Sequence, residues 1–466
     1  MDRRDFLKLS GAAAGSLMLG ACQSEYQKVR AAEVDLPMPT AAQLAWQQAE
    51  IGVLVCYELH TFNEDRYVQS RERRRPIKDV NQFNPERLDT DQWVRAVKNM
   101  DARFAILTAS HESGFRLWQS DVNPYCLKAV EWGRGKRDIV GEFVASCRKY
   151  GVKPGIYLGT RWNSHLGVWD FKVTDRSPLT QQEYNELIEK ETEEICSRYG
   201  DLFELWYDGG AYGPDKGGPD VLSIFEKYQK DCIFYHNHQR ADVRWGGSET
   251  GTVGYPCWAM MPYDGWSKHN TELAKDRFWL LKHGDADGKV WCPAMSDAPL
   301  RNHEWFWEPN DEHKLYSLDA LMNMYYKSVG RNSTLILGLT PDTRGLVPDA
   351  DVERCKELGD EVQRRFGEEI ASTSGYGKQV VLELEPGTVI NHVVIQEDIA
   401  RGERIRQYSV EAKQAGQWKQ VRKGRSVGHK RIEKFAPVEA DAVRLTVLDS
   451  VADPLVKRLA VYNCGT

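Results

Sequence analysis

Short apolar runs alternate with amphipathic stretches between residues 41 and 367, and this alternation constrains the fold more than any other feature. The apolar runs predict buried strands at 51–57, 104–107, 153–158, 203–207, 232–235 and 334–337. The stretches between them predict helices, such as those at 90–99, 138–150 and 184–199. Strands that alternate with helices form a parallel sheet covered on both faces, and at this length an α/β fold of the (β/α)8-barrel type is favoured. A doubly wound open sheet is the alternative, but no GxGxxG motif follows an early strand.

After residue 366 the hydrophobic pattern changes to an alternation with a period of two. Segments at 380–384, 389–396, 406–412, 418–421 and 443–447 predict short strands, separated by turn residues such as Pro386-Gly387. Strands at this spacing predict a C-terminal antiparallel β-sandwich. We therefore expect a barrel at 41–367 and a sandwich at 371–466, with the boundary in the Ser-, Thr- and Gly-containing stretch at 371–378.

The first residues predict export. A twin-arginine pair, Arg3-Arg4, precedes an apolar run at 11–21 that is too short to span a bilayer as a helix. The run ends in the sequence LGAC at 19–22, which has the form of a bacterial lipobox. Residues 1–21 are thus predicted to be a twin-arginine signal, residues 22–40 a linker, and Cys22 a lipidated residue in a periplasmic or cell-surface lipoprotein. The alternative is an uncleaved signal without a lipid, in which Cys22 occurs by chance.

Charge and cysteine content narrow the possible partners. The 62 basic and 68 acidic side chains create no overall positive field that would attract nucleic acid, and contact with a membrane is expected only through the lipid anchor.

Nine cysteines besides Cys22 form no CxxC pair, so a zinc or thioredoxin-like site has no support. Most are expected to be buried free thiols, among them Cys126, Cys147, Cys196 and Cys232.

Three predicted strands end abruptly in polar residues, at 107–112, 159–162 and 204–210. In a parallel barrel these carboxyl ends form one rim, which carries the function. Asp208 ends an apolar strand and is followed by Gly209 and Gly210, which permit a tight turn and the close approach of a ligand. A carboxylate placed in this way suits a nucleophile or base, and an Asp that caps the following helix is equally consistent. One reaction that uses such a carboxylate is glycoside hydrolysis, which needs a second carboxylate as well. The spacing along the sequence does not decide which of Asp242, Glu249, Asp264 and Asp297 would be the second one.

A series of motifs occurs in order along the chain: FNPERLD at 83–89, LTA at 107–109, RDIV at 137–140, GIYL at 155–158, WYDG at 206–209, YYKSVGRN at 325–332, GERI at 402–405 and GHKRI at 428–432. Together they resemble the α-L-fucosidases of glycoside hydrolase family 29. This resemblance implies a barrel followed by a β-sandwich and a retaining mechanism, in which the two catalytic carboxyl groups lie about 5–5.5 Å apart.

Taken position by position, the resemblance assigns the nucleophile to Asp208 in WYDG. The segment RWGGSETG at 244–251 is similar to that of the family branch that prefers 1,3 and 1,4 linkages, which assigns the acid/base to Glu249. The expected substrate-binding residues are Cys56, Arg66, His111, Glu112, Tyr157, Trp162, Trp206, Arg244 and Trp291. Further tryptophans that are candidates for stacking on sugar rings are Trp169, Trp258, Trp266, Trp305 and Trp307. No cofactor is expected, and no metal, because His236 and His238 have no clear third ligand.

The departures from the family pattern fall where the family binds its sugar. Cys56 replaces a sugar-binding His, and Glu112 replaces the second His of a pair that begins at His111. Arg66-Tyr67 stands where the family has Glu-Trp, and the segment PAMSD at 293–297 replaces Pro-Ala-Glu-x-Asp. Because a thiol makes only weak hydrogen bonds, the glycone pocket is predicted to be rebuilt.

Arginines at positions 66, 71, 73, 74 and 75 follow the first strand, and guanidinium groups bind sulfate or carboxylate in a forked geometry. An anionic polysaccharide is therefore one hypothesis for the substrate. The alternative is a solvated face neutralised by Glu72 and Asp79, or an ion pair between Arg66 and Glu112.

The sequence as a whole predicts a retaining exo-α-L-glycosidase of the α-L-fucosidase type, which releases fucose or a related sugar from oligosaccharides or polysaccharides. The alternatives are an α-L-galactosidase, a glycosidase of sulfated polysaccharides, and a carbohydrate-binding protein without catalysis.

Overall fold

The computed structural model describes residues 35–63, 66–237, 239–240, 242–262, 277–302 and 304–465. Cys22, His238, Asp264 and Trp266, all singled out above, lie outside these residues. The chain divides into two compact units, one of residues 38–364 and one of residues 365–466 together with the described residues before Met38.

Eight parallel strands form the sheet of the larger unit. They are β1 (Ile51–Val55), β2 (Phe104–Ser110), β3 (Lys153–Leu158), β4 (Glu204–Ala211), β5 (Ile233–Asn237), β6 (Arg244–Trp245), β7 (Ala294–Pro299) and β8 (Ser333–Leu339). Their order in the sheet is β5-β4-β3-β2-β1-β8-β7-β6, so strands that are consecutive in sequence pair with each other except β5 and β6, and β1 pairs with β8. This is the order of a (β/α)8 barrel, nearly closed between β5 and β6, and it confirms the predicted fold class.

Helices alternate with these strands. They are α1 (Ala41–Ala49), α2 (Thr90–Asn99), α3 (Ile139–Tyr150), α4 (Gln181–Arg198), α5 (Val221–Tyr228), α6 (Arg277–His283), α7 (Leu318–Lys327) and α8 (Asp349–Phe366). Shorter helices and two-residue strands outside the eight-stranded sheet also occur. Helix α2 shows which local features lead this sequence to form a helix. Asp89 caps its first turn by accepting a hydrogen bond from the Gln92 N–H (3.0 Å). Its buried face is formed by Trp93, Val94 and Val97.

Helix α1 covers the amino-terminal end of the barrel. The Trp46 indole packs on Phe104 (6.4 Å between ring centroids) and donates a hydrogen bond to Glu204, and both partners begin barrel strands. Gln47 accepts a hydrogen bond from the indole N–H of Trp291, which precedes β7. Because this end is covered, the open end of the barrel is the rim formed by the carboxyl ends of the strands.

The smaller unit is an antiparallel β-sandwich. Its strands are β9 (Ala371–Tyr376), β10 (Gln379–Glu397), β11 (Ile405–Gln414), β12 (Gln417–Gly424), β13 (Arg431–Ser450) and β14 (Leu455–Tyr462), in the order β9-β14-β10-β13-β11-β12. Register shifts interrupt the long β10–β13 ladder, and its two halves contribute to one apolar core that includes Val393, Tyr408 and Leu445.

Two details of this unit differ from the sequence predictions. The stretch at 371–378 was predicted to be the boundary, but β9 occupies most of it; β9 is an edge strand with alternating half-buried side chains, so it tolerates Ser, Thr and Gly. Pro386-Gly387 does not end a strand and lies instead at a register shift within β10.

The nine cysteines within the described part of the chain are all buried free thiols, as predicted. Among the described residues, none of the helices combines the length and the apolar character that a membrane crossing requires.

Candidate active site

A cavity of about 450 Å³ opens at the carboxyl ends of the barrel strands. Its walls are formed by Leu54, Cys56, Arg66, Tyr67, Val68, Gln69, Thr108, His111, Tyr157, Trp206, Asp208, Glu249, Asp297, Glu304, Trp305 and Phe306. These residues come from β1 to β4, from β7 and from the segments that follow β1, β2, β6 and β7, so it is the fold of the barrel that brings them together.

Asp208 is the half-buried carboxylate of this cavity. It lies on β4, and the next two residues, Gly209 and Gly210, both have positive φ (72° and 98°), as the predicted tight turn requires. The Tyr157 hydroxyl lies beside the Asp208 carboxylate in this cavity. Burial and the charge of Asp208 raise the pKa of Tyr157 well above its ordinary value, so this hydroxyl remains a donor.

Glu249 lines the same cavity from the loop after β6. It is exposed, and its carboxylate accepts a hydrogen bond from the indole N–H of Trp305 (3.0 Å). Of the other candidates for a second carboxylate, Asp297 also lines the cavity and accepts a hydrogen bond from the Trp245 indole (2.9 Å). Asp242 is ion-paired with Arg240 (2.7 Å) and is not among the residues that line the cavity.

Four of the predicted substrate-binding residues form the buried side of the cavity: Cys56, His111, Tyr157 and Trp206. The His111 and Tyr157 rings stack at 5.6 Å between centroids. The Trp206 indole N–H is buried without a hydrogen-bond partner, so it can donate to a bound hydroxyl group. Burial, and then the charge of Asp208, raises the pKa of the Cys56 thiol, which therefore stays protonated.

Four other predicted substrate-binding residues, Glu112, Trp162, Arg244 and Trp291, are not among the residues that line the cavity. Arg244 is fully buried and donates to the backbone carbonyls of Leu281 and Trp258, so it holds loops together. Trp291 lies at the opposite, amino-terminal end of the barrel. The sequence prediction assigned these four residues to the site wrongly, because residues that are close in sequence near a strand point to different sides of the sheet.

The arginines after the first strand are engaged in ion pairs and ring contacts. Arg66 lines the cavity and pairs with Glu304 (2.5 Å), not with Glu112. Glu112 instead pairs with Arg73 (2.6 Å), whose guanidinium group lies 3.5 Å above the Trp162 ring. Further pairs are Arg71 with Glu72 (2.6 Å) and Arg74 with the Trp169 ring (4.4 Å). This arrangement corresponds to the neutralised face that the sequence left open as an alternative.

A buried cluster of ionisable residues lies behind the cavity. Its members are Glu58, His60 and His111, each of which offers one donor atom within 4.8 Å of the others, as a metal site would require. Glu58 and His60 are already in direct hydrogen-bonded contact, and the His60 ring also faces Glu72 (3.5 Å). Although burial opposes its charge, the two carboxylates raise the pKa of His60 to about 9. An imidazolium ion between two carboxylates therefore balances the charges of His60 and its two neighbours.

Sequence reasoning did not assign Glu58, His60, Glu304 or Phe306 to the site. Glu304 and Phe306 follow β7, which carries the polar sequence AMSDAP at 294–299 and therefore lacks the apolar signal of a strand. Glu58 and His60 alternate with apolar residues just after β1, and this proximity to a strand end is the signal that would have found them.

Comparisons with known proteins give a consistent result. The sequence profile of the alpha-L-fucosidase family matches residues 40–365. A provisionally assigned α-L-fucosidase from Bacteroides thetaiotaomicron has a solved structure that superposes with a TM-score of 0.90 at 55% identity, over 92% of this chain and 99% of that one. Alpha-L-fucosidase 1 of Arabidopsis thaliana is 27% identical over 92% of this chain and 88% of its own length. A provisionally assigned α-L-fucosidase 1 of Oryza sativa subsp. japonica is 29% identical over 92% and 85%, respectively.

Proposed function

This chain belongs to the α-L-fucosidase family of glycoside hydrolases and is a glycosidase of that type, and we propose that Asp208 and Glu249 are its catalytic pair. The observation that carries this assignment is that both carboxylates line one cavity although they come from different strand ends. In this scheme Asp208 attacks the anomeric carbon of a terminal fucose residue, and Glu249 gives its proton to the leaving oxygen. Glu249 then takes a proton from water, the water oxygen bonds to the anomeric carbon, and the bond to Asp208 breaks, which restores both carboxyl groups.

The environments of the two carboxyl groups suit these roles. Asp208 lies beside the Tyr157 hydroxyl on the buried side of the cavity, and this hydroxyl stays protonated and can donate to the carboxylate. Glu249 is exposed beside the Trp305 indole, so it meets both the leaving group and incoming water. Of the other carboxylates that line the cavity, Asp297 is buried and accepts a hydrogen bond from Trp245, and Glu304 is ion-paired with Arg66.

Two substitutions test the pair. In Asp208→Asn the nucleophile is lost, so we expect release of the aryl group from an aryl α-L-fucoside to fall by several orders of magnitude. In Glu249→Ala we expect activity that azide partly restores, because a small anion needs no general base. Glu204→Gln is the matched control, since Glu204 is a buried carboxyl on β4 that lies at the far end of the barrel. Rates close to wild type in both active-site variants refute the assignment.

For the sugar itself, the proposal is terminal α-L-fucose in 1,3 or 1,4 linkage, supported by the RWGGSETG segment at 244–251 and by the family membership. A panel of aryl α-L-fucoside, aryl α-L-galactoside and linkage-defined fucosyl oligosaccharides tests it. Faster turnover of the galactoside, or cleavage of 1,2 linkages alone, contradicts it.

Export with a lipid on Cys22 is part of the same proposal and is supported by Arg3-Arg4 and the LGAC sequence at 19–22. Expression of the full chain in a bacterial host, followed by fractionation and mass spectrometry of its N-terminal peptide, tests it. Cys22→Ala is expected to remove the lipid and release the protein from the membrane fraction. An unmodified Cys22 in the mature protein contradicts it.

A further inference from the structure

The wall of the catalytic cavity at His111 rests on a second layer of buried ionisable residues. Glu58 is fully buried, and its carboxylate accepts hydrogen bonds from the Leu59 N–H (2.9 Å) and from the Ser113 hydroxyl. It also contacts the ring of His60 directly. Glu58 is not among the residues that line the cavity, so it does not contact the sugar in the proposed scheme.

His111 connects this layer with the cavity. Its Nδ1 atom is buried without a hydrogen-bond partner and lies 3.9 Å from the Glu58 carboxylate. Because a buried nitrogen without a partner is unfavourable, a small shift of the ring toward Glu58 is favourable. Contacts of this kind commonly tighten when substrate binds.

We infer that Glu58 is a positioning residue, which fixes the tautomer and the ring orientation of His111 for recognition of the sugar. A neutral imidazole carries one N–H group and one acceptor nitrogen, and a carboxylate beside Nδ1 keeps the proton on Nδ1. The Nε2 atom then accepts a hydrogen bond from a hydroxyl group of the substrate. The inference rests on the proposed function, since it assigns His111 to the glycone side of that site.

The surrounding residues keep Glu58 ionised and fixed, as this role requires. Although burial opposes ionisation, the charge and hydrogen bond of His60 lower the pKa of Glu58. His60 is held from its other side by Glu72, which in turn pairs with Arg71 (2.6 Å). The chain of contacts therefore leads from the surface arginine to His111, and its charges are balanced.

His111, whose orientation Glu58 is inferred to fix, lies close to the reacting atoms. His111 stacks on Tyr157, and the Tyr157 hydroxyl lies beside Asp208. A wrongly oriented imidazole would weaken sugar binding while leaving the nucleophile in place. Loss of Glu58 should therefore raise KM more than it lowers kcat, whereas loss of Asp208 acts on kcat.

A double-mutant cycle with purified full-length protein tests the inference. We expect Glu58→Gln and His111→Gln each to raise KM for an aryl α-L-fucoside by about tenfold or more, and the double variant to be no worse than His111→Gln alone. Nitrogen-15 NMR of selectively labelled histidine should show the Nδ1–H tautomer of His111 in the wild type and its loss in Glu58→Gln. Glu204→Gln controls for the replacement of a buried carboxyl group elsewhere in the barrel.

Several results would overturn the inference. Additive effects in the cycle would show that Glu58 acts independently of His111, and an unchanged KM would show that it does not act on the site. A stoichiometric metal in the purified protein, bound through Glu58, His60 and His111, would replace the hydrogen-bonding role by a metal site. If Glu58→Gln does not fold, Ser113→Ala and His60→Gln are measured in its place, with the same cycle against His111→Gln. An inactive wild type, or an active Asp208→Asn, refutes the proposed function instead.

Discussion

The Tyr157 hydroxyl lies beside the Asp208 carboxylate, at the carboxyl ends of the neighbouring strands β3 and β4, where the cavity opens. The pairing register places Tyr157 opposite Trp206, two residues before Asp208, so all three side chains meet on the inner side of the barrel. Asp208, the proposed nucleophile, is therefore positioned by a strand of the barrel rather than by a loop.

The first prediction concerns this contact. Tyr157→Phe removes a protonated hydroxyl that can donate to the Asp208 carboxylate when substrate binds, so we expect kcat/KM to fall about 10- to 100-fold. Steady-state kinetics with an aryl α-L-fucoside measure it. Tyr207→Phe is the matched control, because Tyr207 is the neighbour of Asp208 on β4 but its hydroxyl contacts Thr192 (2.6 Å). Equal losses in the two variants would contradict the prediction.

The second prediction concerns the orientation of Glu249. Trp305→Phe removes the indole N–H that binds its carboxylate at 3.0 Å. Proton donation matters more for a poor leaving group than for a good one, so kcat should fall about tenfold more for a fucosyl oligosaccharide than for a nitrophenyl fucoside. Trp291→Phe, which also removes an indole N–H but at the other end of the barrel, should leave this ratio unchanged. Equal losses on both substrates would argue against acid catalysis by Glu249.

A third prediction links stability to pH through Glu204. Burial and the charge of Asp242 raise the pKa of Glu204 to about 8, although the hydrogen bond from Trp46 opposes this shift. The unfolded chain loses this proton near pH 4.5, so the folded state binds more protons between about pH 4.5 and 8, and its stability falls as pH rises through that window. Glu204→Gln should remove this penalty. Thermal unfolding at pH 5 and pH 8 should therefore show a greater advantage of the variant at pH 8, and an advantage that does not grow with pH would count against it.

The fourth prediction concerns a fully buried ion pair. Arg116 binds Glu191 through two parallel hydrogen bonds of 2.8 and 2.7 Å. Glu191→Gln leaves the guanidinium charge buried and uncompensated, so the free energy of unfolding should fall by about 3–5 kcal/mol in urea titrations. Glu193→Gln, on the exposed side of the same helix, should have little effect. Similar unfolding midpoints for the two variants would show that Arg116 finds another partner.

The strand–helix alternation was readable from the sequence because apolar runs and amphipathic stretches each follow a local period. Helix α2 begins and ends at the predicted residues, and β3 does as well. The strands β6 and β7 were not found, since Arg244–Trp245 is only two residues long and Ala294–Pro299 carries polar side chains that line or flank the cavity. The departure from strand composition at β7 thus reflects its place at the site.

The sequence by itself determined the α/β barrel, the β-sandwich and the family, because these depend on local periodicity and on motifs that can be read in order. Tertiary structure decided which side chains share the cavity. Asp208 and Glu249 both line it, whereas Arg244 and Trp291 lie outside it and contact other parts of the barrel. The fold also pairs Glu112 with Arg73 and places Glu58 behind His111. These contacts join residues that are far apart in sequence. They depend on the register of the barrel strands and on the direction of each side chain, and a local sequence pattern encodes neither of these.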